Sequence, residues 1–192
     1  MLKSKIGNCT QRIIQIYGKK NIKSNLVWKG RVKMKTLEEQ EPMDQGEETQ
    51  RGKFLTFSMG NEMYGIEIRY VTEIIGIQPV TEIPESPEYI RGIINLRGKI
   101  IPVMDVRLRF KKAFREYNNR TCIIVTEAAG VHVGLIVDSV SEVLVIREED
   151  IVPAPDISTG EQKYMKGIGK VGNDVKLLLD CERLLTDVEF MD

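Results

Sequence analysis

The constraint that most limits this chain is an internal repeat. GIEIRYVTEII at residues 65–75 lies over GLIVDSVSEVL at 134–144, an offset of 69, with Gly, Val and Glu identical and several apolar positions matched. YIRGIINLRGKIIPVMDV at 89–106 lies over YMKGIGKVGNDVKLLLDC at 164–181, an offset of 75. This pairs Tyr89 with Tyr164, Gly92 with Gly167, Ile93 with Ile168 and Asp105 with Asp180. The change of offset places a six-residue insertion in the second copy, within the loop EEDIVPAPDISTGEQK. Two units of about 70 residues are too few and too long for a solenoid. Short strands joined by tight turns instead predict an all-β body of two small barrels packed on one another.

The strands can be read in order. FLTFSM, the turn Gly60-Asn61 and MYGIEI form strand, turn and strand. The β-branched run from Val71 to Ile77 ends at PVTEIPESP, because each proline there removes a ladder donor. EYI suits one helical turn. GIINLRGKIIPVMDV reads as a hairpin around Arg97-Gly98, and RLRFKK as a short helix with Asp105 as its N-cap. TCIIV, a turn at Ala129-Gly130 and VHVGLIV repeat the opening hairpin.

Charge sets the ends apart from the body. Residues 1–35 hold ten Lys/Arg and no acid, whereas the other 157 residues hold 18 bases and 28 acids. Residues 1–33 read either as translated leader upstream of Met34 or as a genuine basic arm suited to an anionic membrane or nucleic acid. Residues 36–50, with six acids and no base, read as a disordered acidic lead-in. The expected organisation is an extension over 1–52 and a folded domain over 53–188.

Little in the body points to chemistry. Three cysteines (Cys9, Cys122, Cys181) without paired spacing make neither a disulfide framework nor a four-cysteine metal site. A single histidine, His132, alternates with Val131 and Val133 on a strand and reads as a surface or structural residue. KGIGKVGND lacks the Lys-Ser/Thr of a phosphate loop and is followed by a strand, so it reads as a hairpin. No catalytic group, metal or cofactor is expected. Arg97, at or beside a hairpin tip, has three readings: a solvated charge, an interface anchor, or an intramolecular partner of Glu73.

KFLTFSMGNEMYGIEIRYVTEIIG (53–76), VTEIPESPEYIRGIINLRGKIIPVMDVR (80–107), VGLIVDSVSEVL (133–144), IVPAPD (151–156) and YMKGIGKVGNDVKLLLDCERLL (164–185) together resemble the CheW-like family of bacterial chemotaxis coupling proteins. The resemblance implies two packed five-stranded SH3-like barrels with a few short helical segments. It places the first at about 66–120 and the second at about 134–188, with strand exchange from the N-terminal strands. It implies a cytoplasmic, non-enzymatic adaptor recruited to chemoreceptor arrays. Such an adaptor couples the cytoplasmic tips of methyl-accepting chemotaxis receptors to the regulatory domain of the histidine kinase CheA. By motif, the receptor side falls on Val71, Glu73, Ile74, Gly92, Asn95 and Arg97, and the kinase side on Val140, Val143, Gly167 and Gly169. The competing readings are a membrane- or nucleic-acid-associated module using the basic arm, and a small enzyme with an unrecognised site.

Overall fold

The computed structural model describes residues 50–154 and 160–186. The leader, the basic arm and the acidic lead-in up to residue 49 lie outside the described residues, as do 155–159 of the inserted loop. The elements run β1 (Lys53–Met59), β2 (Glu62–Glu67), β3 (Val71–Gly76), β4 (Ile90–Leu96), β5 (Lys99–Asp105), α1 (Val106–Arg109), β6 (Cys122–Ala128) and β7 (Val131–Val137). They continue with β8 (Ser139–Val145), β9 (Ile151–Pro153), β10 (Met165–Val171), β11 (Asp174–Leu179) and α2 (Cys181–Thr186).

These strands form two sheets, in the orders β3-β6-β7-β5-β4 and β8-β1-β2-β11-β10-β9. The expected all-β class of two packed SH3-like barrels therefore holds. The second sheet has six strands rather than five, because β9 adds to β10 through Pro153 opposite Gly167 and Ile151 opposite Gly169. The first copy uses the matching stretch more sparingly: Thr81 and Ile93 exchange two backbone hydrogen bonds, at 2.9 and 2.8 Å. The first barrel also reaches further than the expected boundary near 120. The β6–β7 hairpin of the second copy completes it, pairing antiparallel with β3 and parallel with β5. Reciprocally, the β1–β2 hairpin of the first copy completes the second barrel through β8 and β11.

The repeat is visible bond by bond. Asp105 N donates to Tyr89 O and Asp180 N to Tyr164 O, both at 2.8 Å. The β4–β5 ladder shifts register between Ile90 and Gly92, and the β10–β11 ladder between Met165 and Gly167. The Tyr89 bond explains why EYI does not make a helical turn. The chain there forms only a tight turn, closed by Ile90 N to Pro87 O at 2.8 Å, before β4 begins. The Asp105 cap is as read from sequence, its carboxylate accepting from Arg107 N (2.9 Å) and Leu108 N (3.2 Å). Tyr117 also donates to Asp105, at 2.8 Å, and burial together with that bond pushes its phenol well above the usual range.

The largest apolar cluster lies between the barrels, drawing Leu55, Phe57, Tyr64 and Leu179 from one sheet and Ile74, Ile90, Met104 and Leu135 from the other. Phe57, Tyr64, Phe110 and Tyr164 form a run of ring contacts through it, with centroids 5.8–6.0 Å apart. Each barrel interior adds a smaller cluster: Ile94, Ile101, Val103 and Ile123 in the first, Phe54, Ile146 and Leu178 in the second. At the position of Ile101 the second copy carries Lys176. It is buried, and its Nζ lies 3.4 Å from the exposed carboxylate of Asp174. A cation in that interior costs desolvation that one solvated partner offsets poorly. Lys176→Ile should therefore raise stability by about 1 kcal/mol, a Tm increase of a few degrees. A thermal melt checks this, and a lowered Tm would mean that the Asp174 contact outweighs burial.

Candidate protein-docking site

The β4–β5 hairpin turns at Arg97 and Gly98, whose φ values are 53° and 86°. Two successive positive φ angles are the mark of the type I′ turn that suits the twist of a two-residue hairpin. Gly98 adopts this conformation without strain, whereas Arg97 carries a side chain in the left-handed region. Asn95 steadies the turn, its Oδ1 accepting from Gly98 N at 2.9 Å. The side chain of Arg97 is 79% exposed, and its Nη2 donates to Glu73 Oε1 at 2.8 Å.

That ion pair spans the two edges of the first sheet, since β3 and β4 stand at opposite ends of its strand order. It is the intramolecular reading of Arg97 realised, and it clasps the barrel shut at its rim. Beneath it opens a cleft of about 270 Å³ with an apolar floor of Leu96, Ile101 and Val125. Lys99, Glu127 and His132 complete the rim, with His132 Nε2 3.2 Å from Glu127 Oε2. Lys99 and Glu127 were not singled out from sequence, and His132 was read there only as a surface or structural residue. Strand alternation gave the facing of His132, but nothing local showed that β7 runs beside β5.

The remaining receptor-side residues serve the site from behind. Val71 is half-buried against the junction core. Ile74 is 3% exposed, so its side chain anchors β3 and offers no surface to a partner. Gly92, with φ 130°, is also buried. A Cβ built there would lie 2.0 Å from Thr81 O, so the close approach that bonds residue 81 to β4 requires glycine.

The four kinase-side markers do not form a surface. Val140 is buried opposite Phe57, and Val143 pairs with Leu55 on the same strand, β8. Gly167 and Gly169 are buried on β10, where added Cβ atoms would meet Val152 O at 2.8 Å and Ile146 Cδ1 at 3.0 Å respectively. In the sheet order β1, β2 and β11 separate the two strands. Among the described residues, the large apolar side chains this barrel does expose are Val145, Val152 and Val175.

Reactive groups are few among the described residues. Burial pushes the Cys181 thiol up to about 12, so it stays protonated and inert. No group of three or more His, Cys, Asp or Glu there is placed to hold a metal ion. No described helix is long and apolar enough to cross a membrane. What the arrangement offers is a pre-shaped cleft, a polar clasp and exposed apolar side chains, which are means of holding another protein.

The family model described as CheW-like domain matches residues 53–189. The chain belongs to the CheW-like domain family. It is 41% identical over 143 residues to the chemotaxis protein CheW of Klebsiella aerogenes, covering 74% of this chain and 86% of that relative. It is 34% identical over 138 residues to the probable chemotaxis protein CheW of Rhizobium etli, covering 71% and 89%. Among solved structures it resembles the scaffolding protein TtCheW of Thermoanaerobacter tengcongensis, with a TM-score of 0.63 and 41% identity over 67% of this chain and 88% of that one. Membership in a family of chemotaxis scaffold proteins agrees with a site built for contact.

The geometry separates structural from contact residues at this CheW-like site. Gly92→Ala should destabilise by about 2–4 kcal/mol, the range for strain at a special backbone position without room to relax. Arg97→Ala should cost less than about 1 kcal/mol, because it breaks one exposed ion pair. Urea denaturation of the two variants checks the contrast, and a large loss at Arg97 would make the clasp a stability element.

Proposed function

We propose that this chain is a non-enzymatic adaptor that couples methyl-accepting chemotaxis receptors to the histidine kinase CheA. In this reading it acts in the cytoplasm, recruited to receptor arrays at the membrane. A receptor helix lies along the first barrel at Val71, Glu73, Asn95 and Arg97, over the cleft floored by Leu96 and Val125. Ile74 and Gly92 hold that surface in shape. CheA meets the second barrel, where Val140, Val143, Gly167 and Gly169 are interior supports behind the exposed Val145, Val152 and Val175.

The observation that carries this reading is the exposed Glu73–Arg97 clasp over an apolar floor. Such a pair contributes little to folding, so its planar guanidinium is available to re-pair with a partner's carboxylate or carbonyl. A central arginine beside a well-packed, desolvated pocket is among the residue types that dominate binding when truncated. Multivalency in an array then lets modest pairwise contacts hold.

The test is co-sedimentation of the purified protein with a receptor cytoplasmic fragment and, separately, with the CheA regulatory domain. Arg97→Glu should weaken receptor binding by about tenfold or more, corresponding to roughly 1.4 kcal/mol or above. CheA binding and the melting temperature should be unchanged. Retention of neither partner by the unaltered protein would overturn the assignment.

A further inference from the structure

The segment joining α1 to β6 is one of two long irregular connections between described strands of the first barrel, the other joining β3 to β4, and it alone is strongly basic. Residues 106–120 contain Arg107, Arg109, Lys111, Lys112, Arg115 and Arg120 against one acid, Glu116. Four of these cations are engaged by the fold, Arg115 the most loosely. Arg107 pairs with Asp138, Lys112 with Glu62, and Arg109 stacks on Tyr89 and Tyr164 at 4.3 and 5.0 Å. Lys111, Arg115 and Arg120 are exposed, Arg115 lying 3.5 Å from Asp138 and 52% open to solvent. Among them stands Phe114, 50% exposed, with Arg91 over its ring at 5.5 Å and Tyr117 against its edge. The second copy shows that the fold does not demand this charge: Glu182 stands where Arg107 does and Leu184 where Arg109 does.

We propose that this basic loop is the docking site for the chain's own acidic segment, residues 36–49. The inference is independent of the coupling role. Charge complementarity favours it: the segment carries Glu38, Glu39, Glu41, Asp44, Glu47 and Glu48 and no base. Reach permits it. The patch sits at the far end of β1 from Lys53, because Gly60 N donates at 2.8 Å to Asp138, the carboxylate that Arg107 and Arg115 share. Seven strand residues span about 23 Å, and fourteen extended residues reach about 46 Å. Tethering supplies an effective concentration in the millimolar range, enough for a contact of several screened charges. A long polyanion is a poorer occupant, since residues 53–192 carry 22 acids against 17 bases and repel it beyond the loop. An acidic partner protein would have to displace the segment first.

Paramagnetic relaxation tests the contact in the full chain. A spin label is placed at Met43→Cys in a Cys9→Ser background, since Cys122 and Cys181 are buried. The amide signals of residues 111–116 should lose about half their height or more in dilute protein at low salt, as a contact favoured by tethering requires. They should recover at about 0.5 M salt, where screening lengths are only a few ångström. They should also recover in Lys111→Glu/Arg115→Glu, and in the variant with all six acids of the segment changed to Gln or Asn. The last keeps the test decisive should the loop variant fail to fold. Absence of broadening, or broadening indifferent to salt and to both variants, overturns the proposal. Broadening that grows with protein concentration overturns it too, by placing the segment on a second copy.

Discussion

Two parallel strand pairings, β5 with β7 and β2 with β11, carry the architecture. Each joins strands from different copies of the repeat, and each is registered through a glycine. Gly134 lies opposite Val103, and Gly65 opposite Leu178. A Cβ at Gly134 would come within 2.7 Å of Ile123 and 2.8 Å of Val103, and one at Gly65 within 3.0 Å of Leu178. Glycine lets the branched side chains of the neighbouring strands lie across the pairing. Once β2 is held by β11, the chain leaves it through the single 3₁₀ turn Ile68–Tyr70 and enters the other barrel as β3. That crossing makes β3 an edge strand, and an edge strand is what places Glu73 where Arg97 can reach it.

The duplication has diverged where binding would matter. Glu73 and Glu142 are equivalent, yet Gly172 stands at the position of Arg97 and can offer no side chain, so the second barrel has no corresponding clasp. Ile101 on the floor of the first cleft becomes Lys176 in the second. Copies that share backbone bonds as closely as Tyr89–Asp105 and Tyr164–Asp180 thus present different chemistry at their rims. One backbone plan therefore carries two different surfaces.

Much of the fold was legible because its signals are local. Alternating apolar residues, Gly-containing turns and the Asp105 cap each depend on neighbours within a few positions. The exchange of hairpins is not local: the resemblance implied the part played by the N-terminal strands, but not the return of β6 and β7, which carries the first barrel's limit from about 120 to Val137. Burial was the other blind spot. Ile74, Val140, Gly167 and Gly169 look like surface markers in a motif, but their strands turn them inward. The Arg97 readings could not be separated from sequence, since the choice among them depends on β3 and β4 meeting across a closed barrel. That His132, Glu127 and Lys99 share one cleft went unseen for the same reason.

The interleaving of the copies also determines how the molecule can move. Neither barrel can swing away from the other without tearing a hairpin out of its sheet and opening the shared aromatic junction. A displacement imposed at one end must therefore travel through the body as through a solid bar, with no internal joint to absorb it.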